Sequence, residues 1–346
     1  MKGTHANARK HRSVYMNTSI FNNWSPANHG DATIVHDAQT GLQMAHVKTL
    51  PALFQAIGYA KYKNRDKCRI VYRGQTELYP KTDKKGNFLF LPTALRKISR
   101  QTTIEQVRAR IKKEIEAFQN LDAAGKNPGN YSAEVIEAVL QQYGMPSTWI
   151  DAVDNIWIAL WFACYQAKST FRVEVNETPD AMPSGKNQNE AKRTRNFIHM
   201  VRRSPRAEKP SQRFAFILLL EGEELASKDD SKKEKEENNS PSENNKDENN
   251  KVEMIDLRKE LASHYIRPHA QHGLLVRTQN SENMASLIKG IIRIDLEDAL
   301  EWLGEGRILL PESIISPPNY DTGFQWLLEN EKTITEPSKH CFPIYC

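Results

Sequence analysis

The chain has 346 residues, of which 39% are hydrophobic and 26% are charged, a balance that fits a globular protein with polar segments attached. Its formal net charge of +5 is too small to require a nucleic-acid partner by itself. No apolar stretch approaches the roughly 20 residues of a membrane helix, and the basic start lacks the apolar core of a signal peptide. The four cysteines form no Cys-x-x-Cys pair, which suits a reducing compartment, so we expect a cytoplasmic protein without a membrane partner.

The first half of the chain predicts a polar arm followed by helices and one short strand. Residues 1–46 are rich in Asn, His and Thr and predict an irregular N-terminal arm. A helix begins at Leu50, where Pro51 suits the first turn and apolar residues recur at helical spacing. The apolar run 68–73 predicts a buried strand. Further helices are predicted over residues 105–121, 133–143 and 155–168.

The second half predicts strands separated by two insertions, at about 177–212 and 222–252. Residues 227–251 consist of Lys, Glu, Asp, Asn and Ser without an aromatic residue, which predicts disorder. Phe214–Leu220 is apolar throughout and predicts a central strand. Strands are also predicted at 273–276 and 291–294, helices at 296–302 and 320–328, and a tail over 331–346. Because strands and helices mix without regular βαβ alternation, we expect an α+β fold with a mixed sheet and packed helices.

Arg73 ends the first predicted strand and is followed by Gly74. A guanidinium is a permanent cation with a planar donor fork, which suits a diphosphate or a carboxylate. Gly74 either lets a ligand approach the backbone or begins a turn. Arg73 also fits a structural ion pair, for which Asp151 is a possible partner, and the sequence leaves both interpretations open.

The segment from Gln141 to Asp151 contains a tight turn between two predicted helices. Functional loops commonly lie at such turns. Asp151 either caps the helix that begins near Asn155 or binds Arg73 or a ribose hydroxyl.

Five motifs in this order resemble the FRG domain, a bacterial family named for its Phe/Tyr-Arg-Gly run. They are Tyr72-Arg73-Gly74-Gln75, Leu91–Arg96, Gln141–Asp151, Ala159–Ala163, and the late element containing Arg267 and Gln271–Leu275. The resemblance covers about residues 48–328 and implies an FRG-like domain over 47–330, with the two insertions inside it. Three positions depart from the family pattern: Gln142 replaces its usual His, Thr148 its usual Arg, and Ala152 its usual Trp.

The order of these motifs also resembles ADP-ribosyltransferase folds at a distance. The resemblance implies an enzyme that binds NAD or a related nucleotide and transfers ADP-ribose to a macromolecular acceptor. The implied catalytic residues are Arg73, Ser147 and Gln271, and the implied cofactor-binding residues are Arg73, Gly74, Gln75, Tyr143 and Asp151. A glutamine cannot act as a general base, so positioning and electrostatic stabilisation would carry such a reaction. Glu253 is a spare acidic candidate without motif support.

The alternative is a binding module that holds a phosphate-bearing ligand or a nucleic acid without chemistry. The departures at Gln142 and Thr148 favour this second interpretation. The basic run 192–206, interleaved with Phe197 and His199, is either a nucleic-acid contact or a solvated insertion. The three histidines between 264 and 272 match no familiar ligand spacing, so we expect no metal. The sequence does not define the oligomeric state.

Overall fold

A computed structural model describes most of the chain. The described residues are 20–26, 30–37, 42–78, 81–82, 88–96, 103–123, 130–175, 193–222, 251–279, 284–335 and 341–345. The predicted disordered stretch 227–251 lies outside these residues except for its last position, as do the first 19 residues of the predicted arm.

An eight-stranded mixed sheet organises the fold. The strands, in chain order, are β1 (Ala32–His36), β2 (Gln43–Val47), β3 (Arg69–Gln75), β4 (Lys81–Thr82), β5 (Phe88–Leu89), β6 (Ile150–Val153), β7 (Tyr165–Val175), β8 (Arg193–Arg202), β9 (Phe214–Gly222), β10 (Val252–Asp256), β11 (Gly273–Thr278), β12 (Ile288–Asp295) and β13 (Ile344–Tyr345). The large sheet has the order β1-β2-β12-β9-β3-β6-β11-β10, and a smaller sheet has the order β13-β8-β7. Neighbours in the large sheet are antiparallel except β2 and β12.

The helices pack on this framework. In the described residues the α-helices are α1 (Leu50–Asn64), α2 (Ile104–Ala123), α3 (Ala133–Gln142), α4 (Ile156–Cys164), α5 (Leu257–Glu260), α6 (Ile266–Ala270), α7 (Leu296–Trp302), α8 (Pro311–Ile314), α9 (Thr322–Glu329) and α10 (Glu331–Thr335). This combination confirms the predicted α+β class with a mixed sheet. None of the described helices is both long enough and apolar enough to cross a bilayer.

Strand β9 occupies the middle of the sheet, as its apolar sequence predicts. Ile217 and Leu219 belong to the core cluster that includes α4, whereas Leu218 and Leu220 belong to the cluster on the other side. A strand buried on both faces needs apolar residues at successive positions rather than alternate ones. The run in β9 supplies them.

Helix α4 packs closely over strand β3. The Asn155 side chain caps the helix by accepting a hydrogen bond from the Trp157 amide at 2.9 Å. A methyl group placed on Gly74 would collide with the backbone of α4, since it would meet the Ala159 carbonyl and come within 2.9 Å of the Ala163 nitrogen. Gly74 therefore allows the helix to lie directly on the strand, and its φ angle is not positive.

The prediction that α4 continues to Lys168 is wrong. The helix ends at Cys164, and Tyr165–Val175 forms strand β7. The expected long loop over 177–212 is also wrong in part, because Arg193–Arg202 forms strand β8 and pairs antiparallel with β7. Strand β7 alternates apolar and polar residues over Phe171–Val175, a strand pattern that the predictions overlooked. Its pairing with β8 determines the structure of both strands.

Regular structure also appears at both ends of the described chain. Strands β1 and β2 form one edge of the large sheet where the sequence predicts an irregular arm, and Phe21 is fully buried. At the other end, α10 and β13 occupy the segment expected to be a tail, and β13 pairs parallel with β8. Both segments gain their structure from distant partners, which local periodicity does not reveal.

Candidate functional site

Strands β3 and β6 are neighbours in the large sheet, but their pairing is brief. In the described residues the pair Tyr72 and Val153 defines their register. One residue further along β3, the Arg73 side chain reaches across to β6. Its Nη1 donates to the Asp151 carbonyl oxygen at 2.7 Å. The same nitrogen lies 3.4 Å from Asp151 Oδ2. Arg73 and Asp151 therefore form an ion pair where the two strands separate.

A cavity of about 210 Å³ opens at this separation. Polar residues from distant parts of the chain share its wall: Arg73, Gln142, Asp151, Arg267, Gln271 and Tyr345. The site therefore combines the end of β3, the end of α3, strand β6, helix α6 and the C-terminal strand.

The Asp151 carboxylate is held by three neighbours. Besides the contact with Arg73, its Oδ1 accepts hydrogen bonds from Gln141 Nε2 at 2.5 Å and Gln142 Nε2 at 3.5 Å. The pairing of Asp151 with Arg73, one of the two interpretations considered for each residue, is therefore observed. The helix-capping alternative for Asp151 is wrong, because Asn155 caps α4.

Arg267 is the most deeply buried charge at the cavity, with 1% of the residue exposed. Its Nη1 donates to the Gln142 carbonyl at 3.1 Å and its Nη2 to the Ser316 carbonyl at 3.3 Å. Its Nε is buried without a hydrogen-bond partner among the described residues, and no carboxylate among them forms an ion pair with the guanidinium. Burial lowers the pKa of Arg267, and the nearby Asp321 charge opposes this shift. An arginine side chain keeps its proton in proteins.

Three aromatic rings surround this guanidinium. Its central carbon lies 4.8 Å from the ring centroids of Tyr143 and Phe324 and 4.9 Å from that of Tyr345. These contacts are within the range of cation–π attraction, which stabilises a desolvated cation but does not neutralise it. Arg267 therefore presents a net positive charge to the cavity.

Tyr143 and Asp321 form a hydrogen-bonded pair beside Arg267. The Tyr143 hydroxyl donates to Asp321 Oδ2 at 2.7 Å, and the Arg267 amide donates to the same oxygen at 3.0 Å. Burial, and secondarily the Asp321 charge, raise the pKa of Tyr143 far above its ordinary value. Tyr143 thus remains a protonated donor. It is fully buried and reaches the cavity only through its contact with Arg267.

The structure brings some of the predicted site residues together and separates others. Arg73, Gly74, Asp151 and Gln271 line one cavity. The Gln271 amide donates to the Ile314 carbonyl at 3.0 Å, so part of its hydrogen-bonding capacity is used within the protein.

Ser147 and Gln75 do not line this cavity. Ser147 is buried, and its hydroxyl donates to the Gln141 side-chain carbonyl and accepts from the Trp149 amide at 3.1 Å. It therefore shapes the turn that positions Gln141. Gln75 is buried at the end of β3, opposite Phe216 of β9.

Four polar cavity residues were missed as site candidates from the sequence: Gln141, Gln142, Arg267 and Tyr345. Gln141, Gln142 and Arg267 lie within motifs that resemble the FRG pattern, and that resemblance was the available signal. Tyr345 lies in the segment expected to be a tail, and no local pattern indicates its position at the cavity.

Glu253 belongs to a different cavity, of about 510 Å³, between α2 and the edge of the sheet. There its Oε2 accepts from Arg277 Nε at 2.5 Å. The spare acidic candidate is thus paired and does not line the Arg73 cavity.

Among the described residues, no group of three or more His, Cys, Asp or Glu side chains is arranged to hold a metal ion. No protein-family model, no curated protein and no solved structure matches the chain.

Proposed function

We propose that this protein binds a small phosphate-bearing ligand in the cavity between Arg73 and Arg267. The observation that carries the proposal is the buried Arg267 guanidinium, which has no carboxylate partner among the described residues. The nearby Asp321 charge offsets part of the desolvation penalty, but Asp321 bonds to the Arg267 backbone amide and forms no ion pair with the guanidinium. A buried charge without an ion-pair partner costs several kcal/mol in desolvation. A ligand anion would offset that penalty, and arginine is well suited to bind phosphate oxygens through its planar donor fork.

The size of the cavity favours a ligand that enters by one charged group. Pockets that enclose drug-sized molecules measure roughly 300–1,000 Å³, whereas this cavity measures about 210 Å³. A phosphate or a phosphoribosyl group fits this volume, and the rest of a larger nucleotide would lie outside it.

The polar groups of the cavity suit binding better than base catalysis. The Asp151 carboxylate is engaged by Arg73 and by the side-chain amides of Gln141 and Gln142. Gln271 has no titratable group. This arrangement favours the interpretation as an FRG-like binding module over an enzyme that needs a strong base.

ADP-ribosyl transfer is the second candidate, because Arg73, Asp151 and Gln271 line one cavity. In that reaction the bond between nicotinamide and C1′ of the ribose breaks, and nicotinamide leaves with the bonding electrons. An acceptor nucleophile then bonds to C1′ and loses its proton. Arg73 and Arg267 would bind the diphosphate of NAD, and the Asp151 carboxylate would stabilise the positive charge that develops on the ribose.

Calorimetric titration with inorganic phosphate, ADP-ribose and NAD tests the binding proposal. We expect binding of at least one of these ligands, weakened tenfold or more by Arg73→Ala and by Arg267→Met. Arg69→Ala is the matched control, because Arg69 lies on the same strand and pairs with Asp154 at 3.2 Å. Absence of binding to all three ligands, or an equal loss in the Arg69→Ala variant, would refute the proposal.

Incubation with labelled NAD and a cell lysate separates the two candidates. Transfer of label, or release of nicotinamide, that is lost in Arg73→Ala supports the transferase. Binding of ADP-ribose without either reaction supports the binding module.

A further inference from the structure

The β7–β8 hairpin carries a concentration of positive charge that the cavity does not use. Its two strands, Tyr165–Val175 and Arg193–Arg202, contain five Lys or Arg residues and one Asp or Glu residue. The formal net charge of the whole chain is +5. The two strands alone, with five positive charges and one negative charge, therefore carry a formal charge of +4.

An aromatic pair lies in the middle of the hairpin. Phe171 of β7 is opposite Phe197 of β8, and their rings stack with centroids 4.2 Å apart and an interplanar angle of 14°. Phe171 is 52% exposed, although burial of a phenylalanine side chain is favourable by roughly 1.5–3 kcal/mol. An exposed stack of this kind on a basic surface needs an explanation.

The strand register places Lys168 and His199 on the same face as this pair. Residues directly opposite each other in a ladder point to one face, and so do residues two apart along a strand. His199 is two residues from Phe197 and is paired with Lys168, so all of them share the face of the aromatic stack. On the other side of the stack, Val173 is paired with Arg195, which forms an ion pair with Glu331.

The hairpin is also accessible. Each residue from Ala167 to Glu174 is exposed, and β7 is an outer strand of its sheet in the described part of the chain. A ligand could therefore reach the Phe171 ring and the Lys168 ammonium group from solvent at the same time.

We propose that this face of the β7–β8 hairpin binds single-stranded nucleic acid. Such surfaces combine aromatic rings, on which bases stack, with cations that contact the backbone. The Phe171–Phe197 stack provides the platform, and Lys168 and His199 provide the neighbouring phosphate contacts. A single strand fits better than a duplex, because the faces of bases in a duplex are already stacked on each other.

Fluorescence anisotropy with labelled oligo-dT and oligo-U of about 12 nucleotides tests the proposal. Stacking of a base on an aromatic side chain is worth about 1–3 kcal/mol, so Phe171→Ala should weaken binding by roughly 5- to 150-fold. Lys168→Glu should weaken binding and flatten its salt dependence, since each phosphate contact adds about −0.7 to the log–log slope for a single strand.

Two controls match these changes elsewhere on the surface. Tyr320→Ala removes an aromatic side chain whose residue is 69% exposed, and Arg307→Glu reverses an exposed charge outside the hairpin. Both should leave the affinity within about twofold. The hairpin and the cavity are tested with different probes and different variants, so failure of the hairpin proposal and failure of the cavity proposal can be told apart.

Three outcomes would overturn the proposal. The first is no oligonucleotide binding at 50 mM salt. The second is an equal loss of affinity in Tyr320→Ala and Phe171→Ala. The third is tighter binding to a labelled DNA duplex of the same length than to either single strand. Saturable binding of an extended peptide along β7, without binding to the oligonucleotides, would instead identify the hairpin as a site for strand addition.

Discussion

Arg73 and Arg267 lie at one cavity, but their charges are compensated differently. Arg73 faces the Asp151 carboxylate at 3.4 Å. Arg267 has two carbonyl oxygens and three aromatic rings around it, and no ion pair with a described carboxylate. Dipoles and ring faces offset desolvation less well than an opposite charge does. The Arg267 charge is therefore the stronger indication of a ligand.

Replacement of Arg267 by methionine tests whether this charge serves binding or stability. Without ligand, we expect Arg267→Met to change the free energy of unfolding by less than about 1 kcal/mol, because removal of the desolvation penalty offsets the two lost hydrogen bonds. Urea unfolding measures the change. A loss of 3 kcal/mol or more without ligand would assign the guanidinium a structural role.

Arg203→Met is the matched control for a buried arginine. Arg203 donates to the carbonyl oxygens of Ala163 at 2.6 Å, Gln212 at 2.7 Å and Phe214 at 2.9 Å. Its loss leaves three acceptors without these bonds, so we expect destabilisation by at least about 2 kcal/mol.

Cys164 provides a prediction about pH. Burial raises the pKa of this thiol to about 12, although the nearby Arg203 opposes the shift. Between the ordinary pKa near 9 and the folded value, the folded state holds more protons than the unfolded state, so stability falls as the pH rises. At pH 10 the expected contribution of Cys164 to this fall is about 1.4 kcal/mol.

Urea unfolding at pH 8 and pH 10, in the presence of a reductant, measures this contribution. The Cys164→Ala variant should lose less stability between the two values than the unaltered protein does. Equal losses would contradict the assignment, whatever the constant offset that the smaller side chain introduces.

At the scale of elements, the contact between α4 and β3 determines where the cavity lies. Gly74 allows the helix backbone to approach the strand, and the adjacent Arg73 side chain then spans to β6. The turn after α3 also requires a glycine. Gly144 adopts a φ of +102°, and a methyl group there would collide with Pro343 of the C-terminal segment. Two glycines thus bring the walls of the site together.

Gly74→Ala should destabilise the protein by about 1–3 kcal/mol or more, because the new methyl group would meet helix backbone rather than a movable side chain. Thermal unfolding measures the change. Gly58→Ala is the matched control, since Gly58 lies inside α1 with no atom within 4 Å of the added carbon. There we expect no loss and up to about 1 kcal/mol of stabilisation. Equal effects at the two glycines would contradict the close packing of α4 on β3.

For the whole molecule, the wall of the cavity joins segments that are far apart in sequence. Residues from β3, β6, α6 and β13 contribute to it. A ligand that contacts them together stabilises the folded arrangement of all these elements, because the unfolded chain cannot reproduce the site.

This coupling predicts a global effect of the ligand. At a ligand concentration 100 times the dissociation constant, the free energy of unfolding should rise by about 2.7 kcal/mol. Hydrogen exchange should slow together in β3, β6 and β11. At the same ligand concentration, Arg267→Met should reduce the stabilisation to about 1.4 kcal/mol or less and weaken the protection from exchange. Protection confined to one of these strands would contradict a site formed jointly by them.

The sequence by itself determined the features that depend on local pattern. Helix α7 lies over Leu296–Trp302 as its pattern predicts, and β9 is central because both of its faces are apolar. Arg73 lies in a buried strand as predicted, although the strand continues two residues beyond it to Gln75. These features follow from apolar periodicity and helix-ending residues, which act over a few positions.

The tertiary structure alone decided the features that depend on distant partners. Strands β8 and β13 form because they pair within one sheet, although neither has a clear apolar alternation. The separation of β3 from β6, the position of Tyr345 at the cavity, and the burial of Arg267 without an ion pair to a described carboxylate arise only when segments far apart in sequence meet. Desolvation and strand pairing depend on what surrounds a residue in space, and one sequence read locally does not contain that information.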